Sequence, residues 1–263
     1  MKYIGERRDK MIEVVQSVDR ALSILEVLSD YSEGLGVTEI SDKIGLHKST
    51  VHRLLGTLIY KGYVVQDAES NKYKITLKLF ELGNKKVENM DILAASKPYT
   101  RELMEKVNEV VHFVIREGNN IVYIDKVEAD NTIRMASTIG RRSPLYCTSV
   151  GKAILAQLSD EEVERIWNSS KIEKLTEFTI TSLEEMKKEL EKVRQRGYAI
   201  DNEENEPGVR CAGAPVFIRF GKVEGAISIS GPTFRVTEDV VDKFASDVVK
   251  YASLISKELG YRK

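Results

Sequence analysis

The chain has 263 residues, of which 42% are hydrophobic and 31% charged, and its formal net charge is −1. That length holds one large domain or two modest ones with real cores, and the composition excludes collagenous, coiled-coil, low-complexity and disordered classes. The longest apolar runs, such as Ala214 to Ile218, fall far short of the roughly 20 residues that span a bilayer, so no membrane partner is expected.

In chain order, the charged opening Met1 to Lys10 lacks the apolar core of a signal peptide, and a cytoplasmic location is the expectation. From Ser17 to Tyr31, apolar residues at Val18, Ala21, Leu22, Ile24, Leu25 and Leu28 follow the spacing of a helix with one buried stripe. Glu33-Gly34-Leu35-Gly36 breaks it. Thr38 then caps a short second helix, with Ile40 and Ile44 inward and Gly45 at its end. A third helix is predicted over Lys48 to Tyr60, with Val51, Leu54, Leu55, Leu58 and Ile59 on one side. Two helices joined by a tight glycine turn make a helix-turn-helix. The strands Tyr63 to Gln66 and Lys72 to Leu77, around the turn at Asp67 to Asn71, add the wing of a winged helix.

Helical periodicity resumes from Lys78 to about Asn108, with Pro98 expected to end or kink it; this stretch reads as a connector. Beyond Val110 the period becomes that of strands: Val110 to Arg116, a turn at Asn119-Asn120, Ile121 to Val127, and Thr132 to Ser137. Helices are predicted at Val150 to Gln157, Asp160 to Trp167 and Leu183 to Arg196, the last two opened by capping boxes Ser159-x-x-Glu162 and Ser182-x-x-Glu185. Strands return at Tyr198 to Asp201, Val209 to Ile218 and Val223 to Ser230, before a final amphipathic helix from Glu238 to Leu259. The expected fold is therefore α+β: a winged helix-turn-helix domain over 1–78, a linker helix over 79–108, and a second, sheet-containing domain over 109–263.

Charge is distributed unevenly. Residues 43–86 hold nine Lys/Arg and three Asp/Glu, a net of +6 inside a chain of net −1. The polar face of the third helix lies in this basic segment and shows Lys48, Ser49, Thr50, His52, Arg53, Gly56 and Thr57. Arg can bond a guanine edge with two donors, and Ser and Thr reach bases or phosphates, so this face suits the major groove of double-stranded DNA. Taken alone it is also what any solvated helix face looks like. The tight turn, the wing and the local charge decide for DNA.

Three tracts in the second half carry further polar chemistry. At Thr148-Ser149-Val150-Gly151 a turn feeds a helix whose first N–H groups can attract a carboxylate, although on this tract by itself capping alone is the better explanation. In Ala226 to Pro232 the strand period puts Ser228 and Ser230 on one face and Ile227 and Ile229 on the other. Asp201 stands at a strand end beside an acidic loop that runs into Cys211.

Ser17-Val18-Asp19-Arg20-Ala21-Leu22, Lys48-Ser49-Thr50-Val51-His52-Arg53-Leu54-Leu55, Gly151-Lys152-Ala153, Gly208-Val209-Arg210-Cys211 and Ser228-Ile229-Ser230-Gly231-Pro232 occur in this order, and together they resemble the IclR family of bacterial transcriptional regulators. The resemblance implies a GAF-like antiparallel-sheet domain after the winged helix. It also implies a small carboxylic or sugar-derived acid as effector, and homodimers or homotetramers on a DNA operator. By the same resemblance the effector-binding residues would be Ser149, Val150, Gly151, Asp201, Cys211, Ser228 and Ser230, with no cofactor and no metal. His47 stands where the family often has proline.

Two other functions compete. A metal or redox sensor would draw on Cys147, Cys211 and Asp201. An enzyme would need Cys147 or Cys211 as nucleophile with His112, the only histidine outside the DNA-binding segment.

Overall fold

The computed structural model describes residues 14–88, 91–132 and 135–262. The chain forms two compact units, residues 1–89 and 90–263, and the division falls inside the stretch expected as a connector.

In the first unit, α1 (Gln16–Ser29), α2 (Val37–Ile44) and α3 (Lys48–Tyr60) are followed by a hairpin of β1 (Val64–Gln66) and β2 (Tyr73–Ile75), and then by α4 (Lys78–Glu88). Ile24, Leu25, Leu28, Ile40, Val51, Leu55, Leu58, Val64 and Tyr73 form the core. Burying each such side chain contributes about 1.5–3 kcal/mol. The apolar stripe read on α1 is wider than the face it buries: Val18 and Leu22 are more than half exposed. The cap of α2 is also not Thr38, which lies inside the helix. Gly36 is the N-cap, and its N–H donates to Glu39 Oε2 at 2.7 Å. Gly45 ends α2 at φ 67°, a left-handed conformation that suits glycine, and the N–H groups of Gly45 and Leu46 both return to Ser41 O. This reversal sets α3 two residues later. At the wing, β1 and β2 pair antiparallel and Leu35 bridges to Tyr73. Asp67 holds the turn by accepting from the N–H and hydroxyl of Ser70, which keeps its carboxyl below the usual carboxylate range.

The second unit begins with α5 (Asp91–Val107), which continues through Pro98 where an end or kink was expected. The proline leaves Ala94 O without its helical donor, yet Ile92, Leu93 and Leu103, buried on both sides of it, hold the helix against the sheet. The strands β3 (Val110–Glu117), β4 (Asn120–Val127), β5 (Arg142–Pro144), β6 (Ala199–Asn202), β7 (Val209–Phe217) and β8 (Val223–Pro232) form one antiparallel sheet in the order β5-β4-β3-β8-β7-β6. The β3–β4 turn is Gly118-Asn119, one residue earlier than the Asn119-Asn120 reading, because Gly118 supplies the positive φ. No strand forms over the described part of Thr132 to Ser137. The edge of β4 is taken instead by β5 and by backbone bonds between Tyr123 and residues 140 and 141. Helices α6 (Ser149–Leu155), α7 (Asp160–Ser169) and α8 (Leu183–Arg196) contribute to a shared core with Val114, Ile121, Ala199 and Ala226. The last helix, α9 (Glu238–Glu258), packs on β7, β8 and α5.

Candidate functional site

On α3, Val51, Leu55 and Leu58 are buried, while Lys48, Ser49, His52, Arg53, Gly56 and Thr57 are exposed and Thr50 is half-buried. The Thr57 hydroxyl donates to Arg53 O. Among the described residues, the side chains of Lys48, His52 and Arg53 make no ion pair or hydrogen bond within the unit, so the face is free to meet a ligand from outside.

In the second unit, the register of the sheet gathers residues that lie far apart in sequence. Asp201 pairs with Cys211, Cys211 with Ser230, and Ser230 with Val110. Two residues along, Ser228 sits between Gly213 and His112. The N-terminal turn of α6 lies directly on this row: a Cβ built on Gly213 would be 2.9 Å from Ser149 C and Val150 N, an approach only glycine permits. The result is a buried cavity lined by Ser149, Val150, Asp201, Cys211, Ser228 and Ser230. Gly151, the remaining expected effector contact, is not part of this lining. Its N–H donates to the Thr148 hydroxyl, and a Cβ on it would stand 2.2 Å from Leu145 O, so Gly151 lets α6 pack and does not face the cavity.

Sequence reasoning missed several lining residues. His112 Nε2 lies 2.7 Å from Ser137 Oγ, its Nδ1 lies 3.3 Å from Ser230 Oγ, and its ring stands edge-on to Tyr123. Burial and the neighbouring Lys126 ammonium lower its pKa to about 3, so the imidazole is neutral. Lys126 donates to Met135 O and Ser137 O, which fastens this segment beside the cavity. Arg141, an exposed residue, borders the cavity and, among the described residues, has no ion-pair partner. A signal for His112 did exist: it alternates with apolar residues on a strand that is otherwise wholly apolar around it.

Beneath the cavity Lys152 is 1% exposed and ion-paired with buried Glu204, whose Oε2 has no hydrogen-bond partner among the described residues. Lys152 is the one charged residue of α6, a helix buried on all sides. Asp201 Oδ1 accepts from the N–H groups of Glu204 at 2.8 Å and Asn205 at 3.4 Å. Its burial dominates over Lys152 and pushes its pKa up to about 7. Burial also pushes the Cys147 thiol up to about 12 and the Cys211 thiol higher still. Both are thiols at neutral pH, the unreactive form. His112 Nδ1 meets the Ser230 hydroxyl, and among the described residues no hydrogen bond joins the ring to either thiol. Among the described residues, Cys147, Cys211 and Asp201 belong to no group of three or more side chains able to hold a metal.

A helix-turn-helix with an open basic face, joined in one chain to an antiparallel-sheet unit with a polar cavity, defines a DNA-binding transcriptional regulator. Residues 17–68 match the IclR helix-turn-helix domain and residues 84–257 the C-terminal domain of IclR-type bacterial transcriptional regulators. The chain belongs to the IclR family. It is 42% identical over 253 residues to the HTH-type transcriptional regulator KdgR of Escherichia coli, covering 96% of each chain. It is 34% identical to the transcriptional repressor IclR of Escherichia coli over 94% of this chain and 90% of that one. The crystal structure of the Thermotoga maritima IclR superposes with a TM-score of 0.82 at 33% identity, over 94% of this chain and all of that one. These relatives are transcriptional regulators, not enzymes.

Proposed function

We propose that this regulator binds a double-stranded operator through Lys48, Ser49, Thr50, His52, Arg53 and Thr57, and that a small organic acid held in the second unit changes its operator affinity. The observation that carries the acid reading is the convergence of Ser228, Ser230, Asp201, Cys211 and the Ser149–Val150 backbone on one cavity, with the exposed Arg141 at its border. Arg141 would take the carboxylate, and the serines and Asp201 would bond the ligand's other oxygens. Coupling requires only that the acid bind one arrangement of the protein better than another. A homodimer or homotetramer is part of the proposal, supported by the exposed apolar residues Val15, Val18 and Leu22 near the start of the chain and Phe80 on α4. Half-sites would then lie about one helical turn, roughly 34 Å, or a multiple of it, apart.

A thermal-shift screen of small organic acids on the full chain tests the reading, because a ligand of the native state raises the melting temperature. Calorimetric titration of an acid so found should show Ser228→Ala binding it several-fold more weakly. Equal affinity in wild type and variant would mean that the acid binds elsewhere.

A further inference from the structure

Asp201 is 3% exposed, and the fold uses only one of its two carboxyl oxygens. Oδ1 accepts from the N–H groups of Glu204 and Asn205, while Oδ2 makes no hydrogen bond among the described residues. Asp201 lines the cavity, so Oδ2 is the oxygen left for a ligand. Backbone N–H groups can only donate, and Oδ1 already accepts two of them; a proton on this carboxyl therefore belongs on Oδ2. The groups around Asp201 offer little to keep it ionised beside an incoming anion. On α6, Lys152 is ion-paired with Glu204, whose Oε2 still lacks a partner among the described residues, so the one buried ammonium is already committed. Cys147 before α6, Cys211 on β7 and Tyr123 on β4 keep their protons, and His112 on β3 is neutral. Arg210 on β7 gives its guanidinium to Asn202 Oδ1 and Val236 O. Glu206, on the loop after β6, adds a negative charge at the lining, and Arg141 stands exposed at the border. In keeping with this arrangement, burial pushes the Asp201 pKa up to about 7.

We propose that Asp201 binds the effector in its own protonated form: its Oδ2–H donates to an oxygen of the acid, and each anion bound by protein with Asp201 ionised brings one proton from water with it. This rests on the acid-site reading above. An ionised Asp201 would set two negative oxygens against each other in a buried site, whereas the protonated carboxyl makes a charge-assisted hydrogen bond to the anion. Asparagine reproduces the protonated form, with Oδ1 for the two backbone N–H groups and an Nδ2–H for the ligand.

Calorimetric titration of the full-length protein with pyruvate, lactate, gluconate and 2-oxogluconate, which stay ionised throughout, provides the test. For an acid that binds, wild-type affinity should fall about tenfold from about pH 6 to about pH 8. At the higher pH, titrations in buffers of different ionisation enthalpy should show close to one proton taken up per acid bound, a count that needs no variant. Asp201→Asn should bind alike at both pH values and take up no proton. At the higher pH it should also bind more tightly than wild type, a gain that a merely structural role would not give. Binding by wild type without proton uptake, or uptake that persists in Asp201→Asn, overturns the proposal while the acid site stands. Loss of binding at both pH values in a folded Asp201→Asn also overturns it, because the ligand would then need the ionised carboxylate. If none of the four acids binds wild type, the acid-site reading fails and takes this one with it.

Discussion

Arg53 and Ser228 represent two ways of presenting polar groups. Arg53 stands on an exposed helix face beside the unpaired side chains of Lys48 and His52, in a segment of net +6. Ser228 is 2% exposed, in a cavity whose Asp201 is held by backbone N–H groups and whose histidine is neutral. An exposed cationic face attracts a polyanion over distance and is screened by salt. A buried, hydrogen-bonded cavity selects by the direction of donors and acceptors and scarcely feels salt. The two units thus present their polar groups in different ways, and the difference predicts different responses to mutation.

The largest effect should come from the interior. Lys152→Met leaves Glu204 buried without its cation and should cost about 3–5 kcal/mol of stability in denaturant unfolding, much of it recovered by adding Glu204→Gln. Next comes Asp201, whose pKa is about 7 when folded against an ordinary 3.8. Between those values the folded state holds a proton that the unfolded state lacks, so stability falls as pH rises from about 4 to 7 and the loss is complete above 7. Asp201→Asn removes this penalty while keeping an oxygen for the Glu204 and Asn205 N–H groups. The melting temperature of the variant should therefore gain on wild type by several degrees between pH 5 and pH 8. On the exposed face, Arg53→Ala should leave stability almost unchanged but lose about 1–3 kcal/mol of sequence preference per half-site in a mobility-shift assay. The smallest effect belongs to Lys48→Ala, which should weaken all DNA sequences alike and reduce the salt slope by about one. If the interior substitutions proved as mild as the exterior ones, the contrast between the units would collapse.

How much of this was legible in the sequence depended on the range of the interactions. Helix α3 was read with its observed ends, and so was α8, because heptad-like spacing, caps and glycine stops are local signals. Alternation along β8 correctly put Ser228 and Ser230 on one face, but only sheet register, set over a hundred residues away, could show that His112 and Asp201 share it. The segment 132–137 alternates like a strand, yet its described part is not one, and β5 pairs with the start of β4 instead. Gly151 was expected to expose its N–H to a ligand. The Thr148 hydroxyl takes that N–H, and the Leu145 carbonyl lies too close to Gly151 for any side chain there, a contact invisible without coordinates. Lys152 gave almost no warning, because the sequence does not say that α6 is buried on every side.

In the proposed function, an acid held in the cavity controls the exposed DNA-reading face. The direct measurement is operator affinity as a function of acid concentration, for wild type and Ser228→Ala, using an operator selected from genomic DNA by the protein and the acid found by thermal shift. Wild type should change its operator affinity as the acid saturates, and Ser228→Ala should need several-fold more acid for the same change while binding the operator equally well without acid. Operator affinity that ignores saturating acid, or an identical acid dependence in the two proteins, would contradict it.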